Sequence, residues 1–382
     1  MENQFCKEKR VGIDFHLDGG IYQGVRTYVA NIVEQIPNLE GRLRYVVYVK
    51  DPSAFSNGQS KCTNLEIKKL PSPSGRFNLL AGFPMCCLRD SLSLFHSQYV
   101  LPAFLGCKSV LTIHDILYES HPEFFPGFHR RLLKMFVPLS ARKASRIMAD
   151  SEYTKGEIVK YYNIPEEKIR VIHLGVSDKL SPVIEQDLID AALQRYMISK
   201  KYILFVGRIE PRKNISGLLR ALDYIKKRGA KDLCLVIVGN QDILFKEKEL
   251  FKNIKKMGLD SDVVFTGGVS EEDLALLYSG AKALVYPSFA EGFGLPVLEA
   301  MACGTPVITS NTTSLPEIAG DAALLVDPHS FVGIGESIEA ILKNDTLRED
   351  LSHRGVKRAQ RFRWEETAKK TIQVYREVLL GE

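Results

Sequence analysis

The sequence of 382 residues has no apolar run approaching the ~18 residues that a membrane-spanning helix needs. Its first ten residues, Met1 to Arg10, are polar and basic, and no apolar stretch follows them. No secretory leader is therefore expected, and the location expected is cytoplasmic. Cysteine is sparse and scattered: seven in all, with Cys86 and Cys87 the only close pair. The absence of a Cys-x-x-Cys spacing argues against zinc and redox motifs and for reduced thiols. There is no GxxxxGK[ST] loop and no GxGxxG after a strand, which removes support for a P-loop nucleotidase and for a dinucleotide dehydrogenase. Zinc-finger and RNA-binding motifs are absent, as are basic runs interleaved with aromatics, so no nucleic-acid partner is expected. The net charge of +5 is mild and suits an anionic substrate or an anionic membrane surface. Short-period repeats and low-complexity tracts are also missing.

The composition is that of an ordinary globular chain, 45% hydrophobic and 25% charged. Its length exceeds one comfortable core, so two domains are expected. Short apolar runs at residues 11–15, 45–49, 109–113, 146–149 and 169–172 read as buried strands, with helical patterns between them at 25–35 and 153–162. The rhythm repeats with strands at 202–206, 233–238, 263–265, 283–286 and 306–308 and helices at 215–228, 245–257, 271–279 and 295–302. Buried strands alternating with helices indicate parallel sheets covered on both faces. Two such sets imply an α/β chain of two doubly wound domains, with the boundary in 174–202, where Gly175, Pro182 and a polar helical stretch at 186–196 lie. Ligands of open α/β sheets bind at the carboxyl ends of the strands.

The sharpest segment follows the strand that ends at Tyr286. It reads Pro287-Ser-Phe-Ala-Glu291-Gly292-Phe293-Gly294-Leu295-Pro296-Val-Leu-Glu299. Pro296 suits the first turn of a helix and Gly304 its far end. That helix start offers N–H groups to an anion. Glu291 before the helix and Glu299 within it suit hydroxyl groups beside such an anion. A second segment, Gly207-Arg208-Ile-Glu-Pro-Arg-Lys213-Asn214, also follows a buried strand. Arg208 and Lys213 form a clamp for a diphosphate, and Asn214 suits a helix cap.

These segments resemble retaining glycosyltransferases of family 4, which have the GT-B architecture: two Rossmann-like domains facing across a cleft. Glu291 to Glu299 resembles that family's E-x7-E segment, residues 207–214 its diphosphate turn, and residues 265–274 its nucleotide-base loop. The resemblance spans nearly the whole chain. It implies an N-terminal, acceptor-binding domain over 1–178, a donor-binding domain over 179–363, and a terminal helix, 364–382, that packs back on the first. Arg208 and Lys213 would stabilise the leaving diphosphate. Glu291 would contact the donor sugar and Glu299 the ribose. The backbone through Gly292, Phe293, Gly294 and Leu295 would meet phosphate, and Gly268 and Val269 would lie beside the base. His114, in Thr-Ile-His-Asp115, would face the donor sugar, with Asp115 as its orienter or as a helix cap. Gly24, in the loop after the first strand, would let the backbone approach the donor phosphate, and Arg26 would be an added anion contact or a charge on a helix face.

Asp260-Ser-Asp262 spells D-x-D, the metal motif of a different glycosyltransferase fold, but it precedes a strand instead of following one. No metal and no cofactor are expected, since Arg208, Lys213 and a helix start supply positive charge. The turn at 207–214 resembles that of bacterial mannosyltransferases of polysaccharide synthesis. The expected reaction is therefore hexose transfer from GDP-mannose to a hydroxyl of a glycan or lipid-linked acceptor. A UDP-hexose, UDP-glucose above all, is the second donor. A sugar-nucleotide epimerase of the same architecture and a non-catalytic sugar-nucleotide binder are the rivals outside this class. The stretch at 128–137, basic and amphipathic, is either a solvated helix face or a peripheral contact with the inner face of the cell membrane.

Overall fold

The computed structural model describes residues 9–16, 23–52, 63–240 and 248–381. They divide into two compact units, one of Met1–Gly175 with Trp364–Glu382, the other of Val176–Arg363.

In the first unit the strands are β1 (Arg10–Phe15), β2 (Arg44–Val49), β3 (Leu65–Lys69), β4 (Leu94–Gln98), β5 (Lys108–Ile113), β6 (Arg146–Ala149) and β7 (Ile169–Val171). They form one sheet in the order β3-β2-β1-β4-β5-β6-β7, and every pairing is parallel. In the second unit β8 (Lys201–Val206), β9 (Leu233–Val238), β10 (Val263–Gly267), β11 (Leu284–Tyr286), β12 (Val307–Ser310) and β13 (Ala323–Val326) form a second parallel sheet, in the order β10-β9-β8-β11-β12-β13. Both sheets start in the middle and wind outward in two directions. Such a reversal opens a crevice beyond the carboxyl ends of the central strands. β9 is buried at all six positions, as expected of a strand covered on both faces.

Three strands lie outside the runs that the sequence marks. β3 is a half-exposed edge strand, Leu-Glu-Ile-Lys-Lys, with too little apolar content to stand out. β4 is central and wholly buried, yet three of its five residues are His96, Ser97 and Gln98. They are buried because they bond one another and their neighbours, which a hydropathy pattern cannot show. β13 is a short edge strand. The expected helix at 245–257 is described over Lys248–Met257, and 245–247 lie outside the described residues.

The helix Trp364–Leu380 packs within the first unit. Tyr375 Oη lies 2.7 Å from His96 Nδ1, Lys108 Nζ donates to the Val378 carbonyl at 2.6 Å, and Arg376 pairs with Glu40.

Candidate active site

In the second unit the carboxyl edge of the sheet is built from glycines. Gly207 follows β8 and Gly239 follows β9, with φ of 145° and 134°, and Gly267 ends β10 with φ of 72°. A Cβ on Gly239 would stand 2.1 Å from the Gly207 carbonyl oxygen, so only glycine lets these two turns touch. The Gly207 N–H donates to Val238 O at 2.9 Å and the Gly239 N–H to Gly267 O at 2.8 Å, which ties the three turns together. Gly268, exposed beside Asn240, and Val269 follow directly. Ser270 then caps the helix Glu271–Gly280 by accepting from the Asp273 N–H at 3.1 Å.

Arg208 leaves this edge half-buried, with its guanidinium 3.6 Å from Glu210. The chain then makes one 3-10 turn, Pro211–Lys213. Asn214 caps the next helix, Ile215–Lys227, by accepting from the Gly217 N–H at 3.1 Å. The Asn214 amide also donates to the Pro287 carbonyl at 3.1 Å and the Pro328 carbonyl at 2.6 Å, which anchors this turn to the Glu291 loop.

Lys213 and Glu291 are both buried and face each other. Lys213 Nζ donates to Glu291 Oε1 at 2.6 Å and to the Tyr286 hydroxyl at 2.5 Å, and Tyr286 donates to the same Oε1 at 2.9 Å. The other oxygen, Glu291 Oε2, accepts from Arg212 Nη1 at 2.6 Å, while Arg212 Nη2 donates to Glu210 Oε1 at 2.6 Å. Burial alone would raise the Glu291 pKa. Arg212 and Lys213 outweigh it and hold the carboxyl down at about 2. Burial pushes the Lys213 ammonium below its ordinary value, with Glu291 opposing and Arg212 reinforcing. The Glu291 backbone is held as well: its N–H donates to Thr313 Oγ1 at 3.1 Å, and Ser314 Oγ donates to its carbonyl at 2.9 Å.

The sequence places Lys213 beside Arg208 as a clamp. The structure gives it an ionic partner in the same site, and it adds Arg212, Glu210 and Tyr286 to the cluster. The sequence showed Arg208 and Lys213 as the basic pair of this turn. Nothing local showed that its charges meet a carboxylate 78 residues away.

The helix Leu295–Ala302 starts where the sequence puts it. Gly294, with φ of 113°, is its N-cap, Pro296 stands in its first turn, and no side chain caps it. A Cβ on Gly294 would stand 2.7 Å from Leu315 Cδ2. The side chain of Phe293 is buried against Phe362, with ring centroids 6.2 Å apart. Glu299, half-buried, accepts from the Tyr278 hydroxyl at 2.9 Å. Burial raises its pKa to about 7, with the Tyr278 bond opposing and Glu271 adding to the rise.

If Glu299 takes hydroxyls of the donor as a carboxylate, donor affinity should rise as pH passes through that value. The apparent Kd should tighten about tenfold between pH ~6 and pH ~8, because only the ionised fraction accepts. Glu299→Gln should flatten the profile in a calorimetric titration. An unchanged slope in the variant would exclude Glu299 as the titrating group.

In the first unit His114 lies buried at the carboxyl end of β5. Its Nδ1 is 2.7 Å from Asp150 Oδ2 and its Nε2 is 3.1 Å from Gln98 Oε1. Burial raises the Asp150 pKa, with His114 opposing. Asp150 is thus the carboxylate that holds the imidazole, in place of the neighbouring Asp115 that the sequence offered as orienter. Asp115 Oδ1 accepts from the Leu117 N–H at 3.2 Å, just ahead of the short helix Leu117–Ser120, whose N-cap is Ile116. Gln98 continues to His96 (3.3 Å), whose other nitrogen meets Tyr375 of the terminal helix. Burial lowers the His96 pKa to about 3, so this ring stays neutral. Gly24 lies in the first turn of the helix Gln23–Leu39, exposed and with open space where a Cβ would stand. Arg26 is exposed on the same helix, and loop residues 17–22 lie outside the described residues.

Asp262 of the D-x-D sequence is buried and paired with Lys200 at 2.7 Å and Lys226 at 2.8 Å. Those two ammonium groups hold its carboxyl below the usual range against the effect of burial.

Two family models match the chain: "Glycosyl transferases group 1" over residues 195–358 and "Glycosyltransferase Family 4" over residues 22–180. O-antigen chain mannosyltransferase B of Escherichia coli is 32% identical over 351 residues, 91% of this chain and 88% of that protein. The chain is a family 4 glycosyltransferase. O-antigen chain mannosyltransferase RfbU of Salmonella typhimurium is 34% identical over 224 residues, 58% of this chain and 57% of that protein. Among solved structures, sucrose-phosphate synthase of Thermosynechococcus elongatus superposes with a TM-score of 0.77 at 21% identity, covering 98% of this chain and all of that one. Anabaena HepE, in complex with UDP and glucose, gives a TM-score of 0.75 at 18% identity over 96% of this chain and 99% of that one. At these identities the superpositions speak for the GT-B fold of this glycosyltransferase.

Proposed function

We propose that this glycosyltransferase moves mannose from GDP-mannose to a hydroxyl of a glycan or lipid-linked acceptor in bacterial polysaccharide or lipopolysaccharide synthesis, with retention at the anomeric carbon. The observation that carries the reading of the site is the meeting of Arg208, Lys213 and Glu291 with the uncapped helix start at Gly294 on one carboxyl edge. Positive charge and N–H groups there suit a diphosphate, and carboxylates beside them suit hydroxyls. The names of the relatives, both O-antigen mannosyltransferases, support the choice of sugar.

In this reading Arg208 and Lys213 hold the diphosphate and take up the charge that develops as it leaves. Glu291 receives sugar hydroxyls and Glu299 the ribose. Gly292, Gly294 and Leu295 present backbone to phosphate, and Gly268 and Val269 flank the base. The acceptor oxygen forms its bond to the anomeric carbon as the bond from that carbon to the diphosphate oxygen breaks. The proton of the acceptor hydroxyl passes to the departing phosphate oxygen on the same face, which preserves the configuration. No metal is needed, because two cations and a helix start neutralise the leaving group. His114, fixed by Asp150 and Gln98, takes part in the transfer.

A panel of GDP- and UDP-sugars, scored for binding and for slow donor hydrolysis, tests the donor. GDP-mannose should be the preferred member by at least about tenfold, equivalent to ~1.4 kcal/mol. Preference for a UDP-hexose would replace the donor and leave the site standing. Failure of every member to bind at millimolar concentration would remove the site assignment as well.

A further inference from the structure

The first unit carries an apolar surface that neither the core nor the donor chemistry explains. It is built from three segments. The first is helical, residues 75–89, α-helical at Gly75–Phe77 and Phe83–Arg89 with a π-turn over Asn78–Gly82 between. The second is the connection from β4 to β5, residues 101–107. The third is the helix Gly127–Lys143.

Hydrogen bonds knit them side by side. The Ala103 N–H donates to Leu79 O at 3.0 Å, Lys143 Nζ donates to Ala103 O at 2.7 Å, and the Leu101 N–H donates to Ser140 Oγ at 3.0 Å. Gly106 lies against Leu88, since a Cβ there would stand 3.6 Å from Leu88 Cδ2.

Each segment turns large apolar side chains outward. Leu80 is 66% exposed, Leu88 74%, Phe104 77% and Leu139 57%. On the third helix the outward stripe reads Phe128, Arg131, Met135, Leu139, Arg142, at three- and four-residue spacing. Scattered single exposed apolar residues need no explanation, but a patch shared by three neighbouring segments does.

Its charge is as one-sided as its apolarity. The three segments hold no aspartate or glutamate, while Arg76, Arg89, Arg130, Arg131, Lys134 and Lys143 are among their basic residues. Two acidic side chains from flanking positions pair with these bases, Asp90 with Arg89 and Glu119 with Lys134. Arg76, Arg131 and Arg142 carry exposed side chains on it.

We propose that this surface docks the enzyme on an anionic lipid bilayer, with Leu80, Leu88, Phe104 and Leu139 entering the headgroup region and the surrounding arginines and lysines meeting lipid phosphates. Apolar side chains beside basic ones, on segments that hold no acidic residue, match the interface of an anionic leaflet in both of its properties. A second copy of the chain would match the apolar part and repel the charge. Among the described residues no helix is long and apolar enough to cross a membrane, so the contact is made from one side. It extends well beyond the stretch at 128–137 that the sequence suggests, and it does not depend on which sugar the site transfers.

The test uses the full chain and sedimentation with vesicles of phosphatidylcholine alone or with added phosphatidylglycerol. The wild type should bind the anionic vesicles at least tenfold more tightly than the neutral ones. Raised salt should weaken the binding. Leu88→Glu combined with Leu139→Glu should lower it tenfold or more, as should Arg131→Glu combined with Arg142→Glu, each with an unchanged melting temperature and unchanged donor hydrolysis. Phe104→Ser alone, on a connection and not in a helix, gives a third variant that bears no risk to helix packing and should weaken binding severalfold. Equal binding to both vesicle types, no binding at all, or wild-type binding by all three variants would overturn the proposal. So would light scattering that shows a dimer in the wild type and a monomer in the apolar variants.

Discussion

Alanine at Arg208 and alanine at Lys213 are expected to lower kcat by a similar factor, on the order of 10² to 10³ each, the size of one lost charge-stabilising contact in a transition state. They should differ sharply in stability. Arg208 is half-buried and sits 3.6 Å from Glu210, which Arg212 also holds at 2.6 Å. Glu210 keeps Arg212 when Arg208 is removed, and the cost of losing this pair should be ~0–1 kcal/mol, that of a partly exposed pair. Lys213 is buried, and its ammonium serves Glu291 and Tyr286 together. Removing it takes one of the two cations paired with the buried Glu291 carboxylate, Arg212 being the other, and about 3–5 kcal/mol of stability should go.

The acid limb of the stability curve gives an independent reading. Glu291 has a folded pKa held down at about 2 against an ordinary 4.5, so its contribution is present above ~4.5 and is lost as pH falls towards 2. Lys213→Ala removes part of what holds it down, and the acid loss of stability should become shallower. Melting curves across pH, set beside single-turnover rates on the same samples, separate the two effects. Near-normal turnover in both variants would end the assignment of a diphosphate clamp.

The second large effect is expected from Glu291→Gln. The substitution keeps the shape of the side chain and removes the one charge that Lys213 and Arg212 share. Turnover should fall by about 10² or more if Glu291 receives sugar hydroxyls as a charged acceptor, because charge-assisted bonds are roughly twice as strong as neutral ones. The sign of the pH dependence of stability also follows. Burial already lowers the Lys213 pKa, and Glu291 is the largest influence raising it. Without that carboxylate the folded pKa of Lys213 drops further below its unfolded value. The unfolded chain then binds more protons than the folded one throughout the window between the two values, so the variant should gain stability as pH rises through that window. Calorimetric melts from neutral to mildly alkaline pH would show a rising Tm for Glu291→Gln relative to wild type. A parallel course of the two would mean that Glu291 does not set the charge of Lys213, and the cluster would have to be read as packing alone.

The sequence by itself determined the architecture and the helix start that follows the Glu291 loop. Buried strands covered on both faces leave apolar runs, and β1, β2, β5, β6 and the central strands of the second sheet could be read from them. The helix Leu295–Ala302 could be read to the residue, because a glycine with positive φ and a proline in the first turn are local requirements of the backbone. For the same reason Asn214 was legible as a cap. Tertiary structure alone decided what each charge meets. The partner of Lys213 lies 78 residues on, that of His114 lies 36 residues on at Asp150 and not next door at Asp115, and Arg212 enters the site only because the turn at 211–213 folds onto the Glu291 loop. β4 was hidden because its polar residues are buried through hydrogen bonds to distant groups, including Tyr375 from the far end of the chain. The contact of Gly239 with Gly207 likewise exists only where two strand ends lie side by side. Backbone preference acts over a few neighbouring residues and is written in their order. Charge pairing, buried polar bonding and the gathering of an apolar basic surface from three separate segments depend on distances in space, which the chain acquires only when the sheets have formed.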